Sequence, residues 1–493
     1  MKHLVLIALL PALSSAMAAV DSLDALNEAM RGAAAGAVIE LAGGRHTTTR
    51  PIVIEGRRGT PQAPIVLRAA GRGRAVISGA AGFVLRDCEH LVLEGFVFEH
   101  DADQPAVLLD NGRHVRVTRN IFRLRERAKP RRMEHWVYVI GARSGHNRID
   151  HNRFERKVNR GSHVFVRGDD TTLTGSRRDR VDHNHFLDVV FAKGENGHET
   201  IRTGSNDLGA SGRSTFTLIE SNLLERCSGE TEIMSLKSSD NIVRHNTLLN
   251  CFGAICLRLG NRNVVAGNFV LNTDGGPGCG GVKLYGFDHR VFNNYFLGLT
   301  GTKHEAPLAL IPGTLETPTT DNIGKKFDDL TTVPPTRAWI AFNTWIDCAP
   351  LQFGFEKPEG ARKHVPTDCV FVNNLVARTK PHKAPLVNLG LVRGLKAHDN
   401  LGYAVGAMPR NEWTAWFRWD EPGLRRPQDS PGLWRLTGSS PAINAAVEVA
   451  TAVDDDVFGR ARRDRRDIGA EEFSDETALR GPLTPEAVGP DAP

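Results

Sequence analysis

The stretch "NIVRHNTLLNCFGAICLRLGNRNVVAGNFVL", residues 241–271, decides the fold. It holds one phrase twice, two short apolar runs flanking an asparagine, at Asn246 and again at Asn268. Working outward, the phrase recurs as "VRVTRNIFR" (Asn120), "NRIDHNRFE" (Asn152), "DRVDHNHFL" (Asn184), "TLIESNLLE" (Asn222), "RVFNNYFLG" (Asn294), "WIAFNTWID" (Asn343) and "VFVNNLVAR" (Asn374). From Asn222 the intervals are 24, 22 and 26 residues, and longer gaps elsewhere read as loop insertions. Short strand pairs around a turn residue, repeated at that period, are the mark of a solenoid. The expected fold class is all-β, a single-domain right-handed parallel β-helix in which each coil adds strands to stacked parallel sheets. The asparagines are expected to form an internal ladder that bonds turn backbone rather than a ligand.

Composition agrees with a turn-rich β chain: 49 glycines, abundant asparagine and 40% hydrophobic residues. The 493 residues would by length alone suit roughly two to four domains, a rule that repeat folds break. Net charge is only +5, from 62 basic and 57 acidic residues, with no long Lys/Arg block, so no nucleic acid partner is expected. At the start, Lys2 and His3 precede the apolar run "LVLIALLPAL", and Ala16-Met17-Ala18 fits a small-x-small cleavage site. Residues 1–18 thus read as a signal peptide, with the mature chain from Ala19. The run is too short to span a bilayer and no cysteine follows the cleavage site. The expectation is an exported bacterial protein, periplasmic or secreted, without a membrane anchor. Seven cysteines without CxxC spacing argue against zinc or a dense disulfide framework, and most should be buried as small apolar residues. Cys251 and Cys256 are the one pair considered for a disulfide.

A solenoid must cover its ends, where core and strand edges are open. Residues 21–36, "DSLDALNEAMRGAAAG", carry apolar positions at helical spacing and end in glycine, so they read as an N-terminal capping helix. Trp413, Trp416 and Trp419 fit a cap on the last coils better than a sugar-stacking stripe. The "DDD" at 454–456 fits a closing turn better than a hydrolase's acid cluster. The β-helix domain is placed at 19–474, and the polar, Pro-rich residues 475–493 are expected to be a disordered tail.

Coil stacking gives the chemistry-bearing residues their meaning. Lys237, Arg258 and Lys283 lie about one coil apart and should share an outward face, while Glu230 and Glu232 alternate along one strand and point the same way. One coil earlier, "ENGHETIRTGSN" offers the amide oxygen of Asn196 and the carboxylate of Glu199 to the same place. Three carboxylates and an amide describe a hard-cation site, and Ca²⁺ suits it better than Zn²⁺ because neither Cys nor His is needed. His198 reads as a neighbour facing substrate or solvent rather than a ligand. The bland alternative is a solvated charge ladder.

"NGHETIRTGSN", "ETEIMSLKSSDNIVRHNT", "LRLGNRNVVAGN", "GVKLYGFDHRVFNNYF" and "AWIAFNTWIDC", in this order, resemble the polysaccharide lyases of family 6, which include alginate lyases and chondroitinase B. The resemblance covers residues 190 to 348. It implies Lys237 as catalytic base, Arg258 as catalytic acid, and Asn196, Glu199, Glu230 and Glu232 as Ca²⁺ ligands. Two positions depart from the family pattern: Leu259 stands where a His usually follows the arginine, and Lys283 where an Arg is common. Arg202, Lys283, Tyr285 and His304 are candidate substrate contacts from their place on the expected face.

The implied reaction is β-elimination on a uronic-acid polymer, most simply alginate, leaving 4,5-unsaturated ends. The C5 proton is acidic only if the adjacent carboxylate is neutralised, which a Ca²⁺ Lewis acid does. Lys237 must be neutral to accept that proton, a form favoured by a neighbouring divalent cation and Arg258, so an alkaline optimum is expected. Guanidinium hardly gives up its proton, so Arg258 is better cast as stabilising the departing O4 while water supplies the proton. The expected partner is an acidic polysaccharide, and the expected state a monomer, with a dimer as the alternative. The other readings are a dermatan sulfate lyase and a non-catalytic β-helix glycan-binding protein.

Overall fold

The computed structural model describes residues 17–493 except 129–131, 173, 192–195, 206–211, 317–331, 358–359, 407–410, 429–431, 450–452 and 464. The first sixteen residues of the expected export segment therefore lie outside the described residues. The strand Met17–Val20 straddles the expected cleavage junction and pairs with Val38–Leu41.

Three long sheets of 14, 12 and 14 strands run the length of the chain, and in each sheet every strand pairs in parallel with its counterpart one coil away. This is a parallel β-helix, as the repeats predict. Alternation along each short strand sends one residue inward at every rung. In the first sheet Ile149, Val181, Ile219, Val243, Val265, Val291 and Ile340 stack in register, all fully buried. In the third sheet Phe98, Phe122, Phe154 and Phe186 form a column with ring centroids 4.9, 4.6 and 4.7 Å apart. Each such side chain contributes about 1.5–3 kcal/mol by leaving water.

Between the first and third sheets the chain turns sharply, and here the asparagine phrase does its work. The residue before each ladder asparagine adopts positive φ, for example His151, His183, His245 and Asn293. The buried asparagine that follows donates its side-chain amide to the side-chain oxygen of the asparagine one coil on, at 2.9–3.1 Å, from Asn120 through to Asn400. That oxygen also accepts the backbone N–H of the preceding rung, so turn groups that strands cannot pair are satisfied internally. Asn400, in "AHDNLG", closes the ladder although its flanks depart from the repeated phrase.

The ends are covered. The helix Leu23–Gly32, capped by Ser22, buries Leu26 and Met30 over the first coil. At the far end Trp413 is buried, Trp416 packs on Phe353 and Phe371, and the strand Phe417–Trp419 extends the third sheet. Asp456 is buried and accepts the backbone N–H groups of Phe458, Arg460 and Glu472 at 2.8, 2.8 and 2.9 Å, which makes the acidic triplet a closing turn.

The expected disordered tail is corrected. Residues 475–493 run back along the β-helix: the Leu483 N–H donates to Thr247, the Gly489 N–H to the His183 carbonyl, and Arg119 donates to the carbonyls of Pro490 and Ala492. The ordering comes from backbone groups satisfied by residues of the coils rather than from a core, with Val488, Pro490 and Ala492 as buried apolar anchors. The domain thus extends past residue 474. All seven cysteines are buried and free, so Cys251 and Cys256 do not pair. Among the described residues no helix is long and apolar enough to cross a membrane.

Candidate active site

Four successive strands of the 12-stranded sheet, Ile201–Gly204, Glu232–Lys237, Gly253–Leu259 and Cys279–Leu284, form the floor of a cleft of about 590 Å³. All ten predicted site residues line it: Asn196, Glu199, Arg202, Glu230, Glu232, Lys237, Arg258, Lys283, Tyr285 and His304. Register explains the convergence. Arg202, Ser235, Cys256 and Lys283 stand opposite one another on consecutive rungs, and their side chains share the outward face.

The expected direct stacking of Lys237 on Arg258 is modified by an irregularity. Leu236 faces Leu257 but Lys237 faces Leu259, so Arg258 is the extra residue of a bulge. A bulge re-aims its side chain. Here the guanidinium swings toward Glu232, with Nε 3.5 Å from Oε1, and lies 5.5 Å from the ring centre of Tyr285.

Charges alternate across the cleft. Lys237 Nζ is 3.4 Å and the Arg202 guanidinium 3.6 Å from the same Glu199 oxygen. Lys283 Nζ lies 3.4 Å from the Thr231 hydroxyl. Ser235 donates to Glu232 at 2.5 Å, and the backbone N–H groups of Gly197 and His198 both donate to Glu230 at 2.8 Å. Burial alone would raise all three carboxyls. For Glu232 it is outweighed by Lys283, Lys237 and Arg258, which bring it down to about 2. For Glu199 it is outweighed by Arg202 and Lys237. For Glu230, burial followed by repulsion from Glu199 and Glu232 pushes the carboxyl up to about 8.

His304 sits at the rim, 3.4 Å from Arg362 and edge-on to Phe355. His198 departs from expectation: it is buried, and burial pushes its imidazole down to about 3, so it is a neutral group behind the cleft wall rather than a substrate contact. Arg160, Arg362, Met133 and Glu305 also line the cleft and were missed. They come from turns and an insertion between coils, which carry no repeat signal.

The donor set suits a hard divalent cation. It is all oxygen, Glu199 Oε2 is buried without a hydrogen-bond partner, and Glu230 is strained by two neighbouring carboxylates. In the described residues, three ligand atoms gather within 4.8 Å of one another at Glu89, His90 and His114, on a distant corner, and not at the three glutamates, whose oxygens are drawn toward Lys237, Arg258, Ser235 and backbone N–H groups.

A family model described as Chondroitinase B matches residues 20–412. The chain belongs to this family, polysaccharide lyase family 6. Among solved structures it is similar to the family 6 alginate lyase AlyGC, with a TM-score of 0.75 and 25% identity over 96% of this chain and 60% of that one. The chain thus spans about 60% of the length of AlyGC. It also shares its fold with a mannuronic acid specific family 6 lyase from human gut microbiota, at TM-score 0.66 and 24% identity over 82% of this chain and 91% of that one. A family 6 alginate lyase in complex with a trisaccharide matches at TM-score 0.68 and 19% identity, covering 88% of this chain and 93% of that one. No curated protein matches the chain. These three structures share the solenoid fold with the chain.

Proposed function

We propose that this family 6 member is a lyase that cleaves a uronic-acid polysaccharide, with alginate as the leading substrate, by β-elimination. The observation that carries the reading is the meeting of Lys237 and Arg258 in one cleft, each beside a glutamate that belongs to an oxygen-rich cluster.

Ca²⁺ held by Asn196, Glu199, Glu230 and Glu232 would supply Lewis-acid neutralisation of the uronate carboxylate. The chain's own groups perform the rest. Neutral Lys237 takes the C5 proton on Nζ, the C5–H electrons form the C4=C5 double bond, and the C4–O4 bond breaks. Arg258, fixed by Glu232 and flanked by Tyr285, presents N–H donors to the departing O4, which takes its proton from water. Arg202 and Lys283, on the same outward column, pair with uronate carboxylates of the polymer. His304 and Arg362 contact the chain at the rim. The apolar segment at the N-terminus supports export to the periplasm or outside, where such polymers are met.

A dermatan sulfate lyase is the second reading, favoured by the Chondroitinase B family model. The test is incubation of the purified protein with alginate, polymannuronate, polyguluronate and dermatan sulfate, with and without chelator, following the ultraviolet absorbance of the new double bond. Signal on an alginate block that chelator removes supports the proposal, and signal on dermatan sulfate alone supports the second reading. Silence on every uronan overturns both in favour of a glycan-binding protein.

A further inference from the structure

The Asn196–Glu199 wall of the cleft is held from behind by a relay of hydrogen bonds starting at a buried ion pair. Lys157, 1% exposed, places Nζ 2.8 Å from Glu126 Oε1. The other oxygen of Glu126 accepts the backbone N–H groups of Val158 and of Asn159, the latter at 2.9 Å. One carboxylate thus fixes three donors of a single turn, and the Asn159 amide ties that turn to Glu134 at 3.2 Å. The next two residues reach the cleft wall: Arg160 Nε donates to the Asn196 carbonyl at 2.6 Å, and the Gly161 N–H donates to the Gly197 carbonyl at 2.6 Å. Gly161 has positive φ, and a Cβ there would lie 2.4 Å from the Glu134 carbonyl oxygen, so the close approach requires glycine. Gly197 and His198 complete the relay with their N–H groups on Glu230.

We infer that Glu126 and Arg160 are positioning residues that set the geometry of the 196–199 segment toward a bound divalent cation; the inference rests on the reading of that segment as a cation site. Neither is in the predicted donor set. Glu126 acts through the turn it organises, and Arg160 through the carbonyl it grips. Groups behind metal ligands set affinity by orientation, and their loss costs typically about 10- to 100-fold in metal binding.

Arg160 makes the test decisive because charge and positioning have opposite signs. It is a cation lining the same cleft, so by Coulomb's law alone its removal tightens Ca²⁺ binding. If it positions Asn196, removal weakens binding. Calorimetric titration of CaCl₂ into full-length wild type, Arg160→Ala and Glu126→Gln, with thermal melting as the check on folding, separates the two. The expected result is about tenfold or more weaker Ca²⁺ binding for folded Arg160→Ala, and a similar loss for Glu126→Gln. Unchanged or tighter binding by Arg160→Ala, with wild type binding normally, overturns the positioning role alone. No Ca²⁺ binding by wild type overturns the cation site and this inference with it. If Glu126→Gln fails to fold, the Arg160→Ala result decides.

Discussion

Asn246→Ala tests whether the amide ladder is a principal source of order in this solenoid. Asn246 is fully buried; its amide donates to Asn268 and to the Ile219 carbonyl at 3.0 Å, and its oxygen accepts the Asn222 backbone N–H at 3.0 Å and the Asn222 amide at 2.9 Å. Truncation leaves the Asn222 N–H without that acceptor and the Ile219 carbonyl without that donor, both away from water. The Asn222 amide keeps its bonds to Val181 and Glu220, so it suffers less. At about 1–3 kcal/mol for each stranded group, the loss is about 2–6 kcal/mol. Asn246→Asp keeps the acceptor but sets a buried carboxyl against the Ile219 and Arg244 carbonyls and the Asn268 oxygen, so it should cost at least as much as alanine at neutral pH. Urea unfolding followed by circular dichroism and by tryptophan fluorescence measures this, with coincidence of the two probes checking that the coils unfold together. A folded Asn246→Ala protein within about 1 kcal/mol of wild type would refute the reasoning.

Other expectations concern the cleft and the outer face. Lys237→Ala and Arg258→Ala should each lower uronan cleavage by about a thousandfold in protein that circular dichroism shows to be folded, and retained activity in Lys237→Ala removes it as the base. Glu230 is raised to about 8 in the fold, so without a cation its contribution to stability is greatest below its ordinary pKa and is lost as pH rises through about 8. The Ca²⁺-induced rise in melting temperature should therefore grow from about pH 5 to pH 8, and Glu230→Gln should flatten that growth. A rise independent of pH counts against Glu230 as a ligand. Asp150 shows the opposite sign: burial would raise it, but Arg116 and His151 hold it below the usual range. Its contribution is present above the ordinary aspartate pKa and fades as pH falls below it. Asp150→Asn should lose about 1–3 kcal/mol at pH 7, shrinking toward acid, as read by denaturant midpoints across pH.

The repeat was legible because its turn makes one chemical demand at every coil, a residue at positive φ and then a buried amide. Asn400 escaped because Gly402 interrupts the apolar run that follows it. The membership of the cleft was legible for the same reason: residues a coil apart must stack. The bulge at Arg258 was not, since one extra residue inside a strand leaves no trace in a spacing that already varies between coils. The tail was misread because composition reports what a segment can bury, whereas residues 475–493 are held by backbone groups paired with side chains far away in sequence. Arg160 was invisible for a related reason: its role is a grip on a carbonyl, which any residue type supplies.

Successive coils differ widely in length, from 22 to 49 residues between ladder asparagines, yet the amide spacing hardly changes. Length variation is thus shunted into the loops that wall the groove while its floor keeps one pitch. Such a scaffold lets a loop be exchanged, lengthened or lost without re-spacing the groups beneath. The walls can then diverge across descendants while Lys237 and Arg258 on the floor stay where they were.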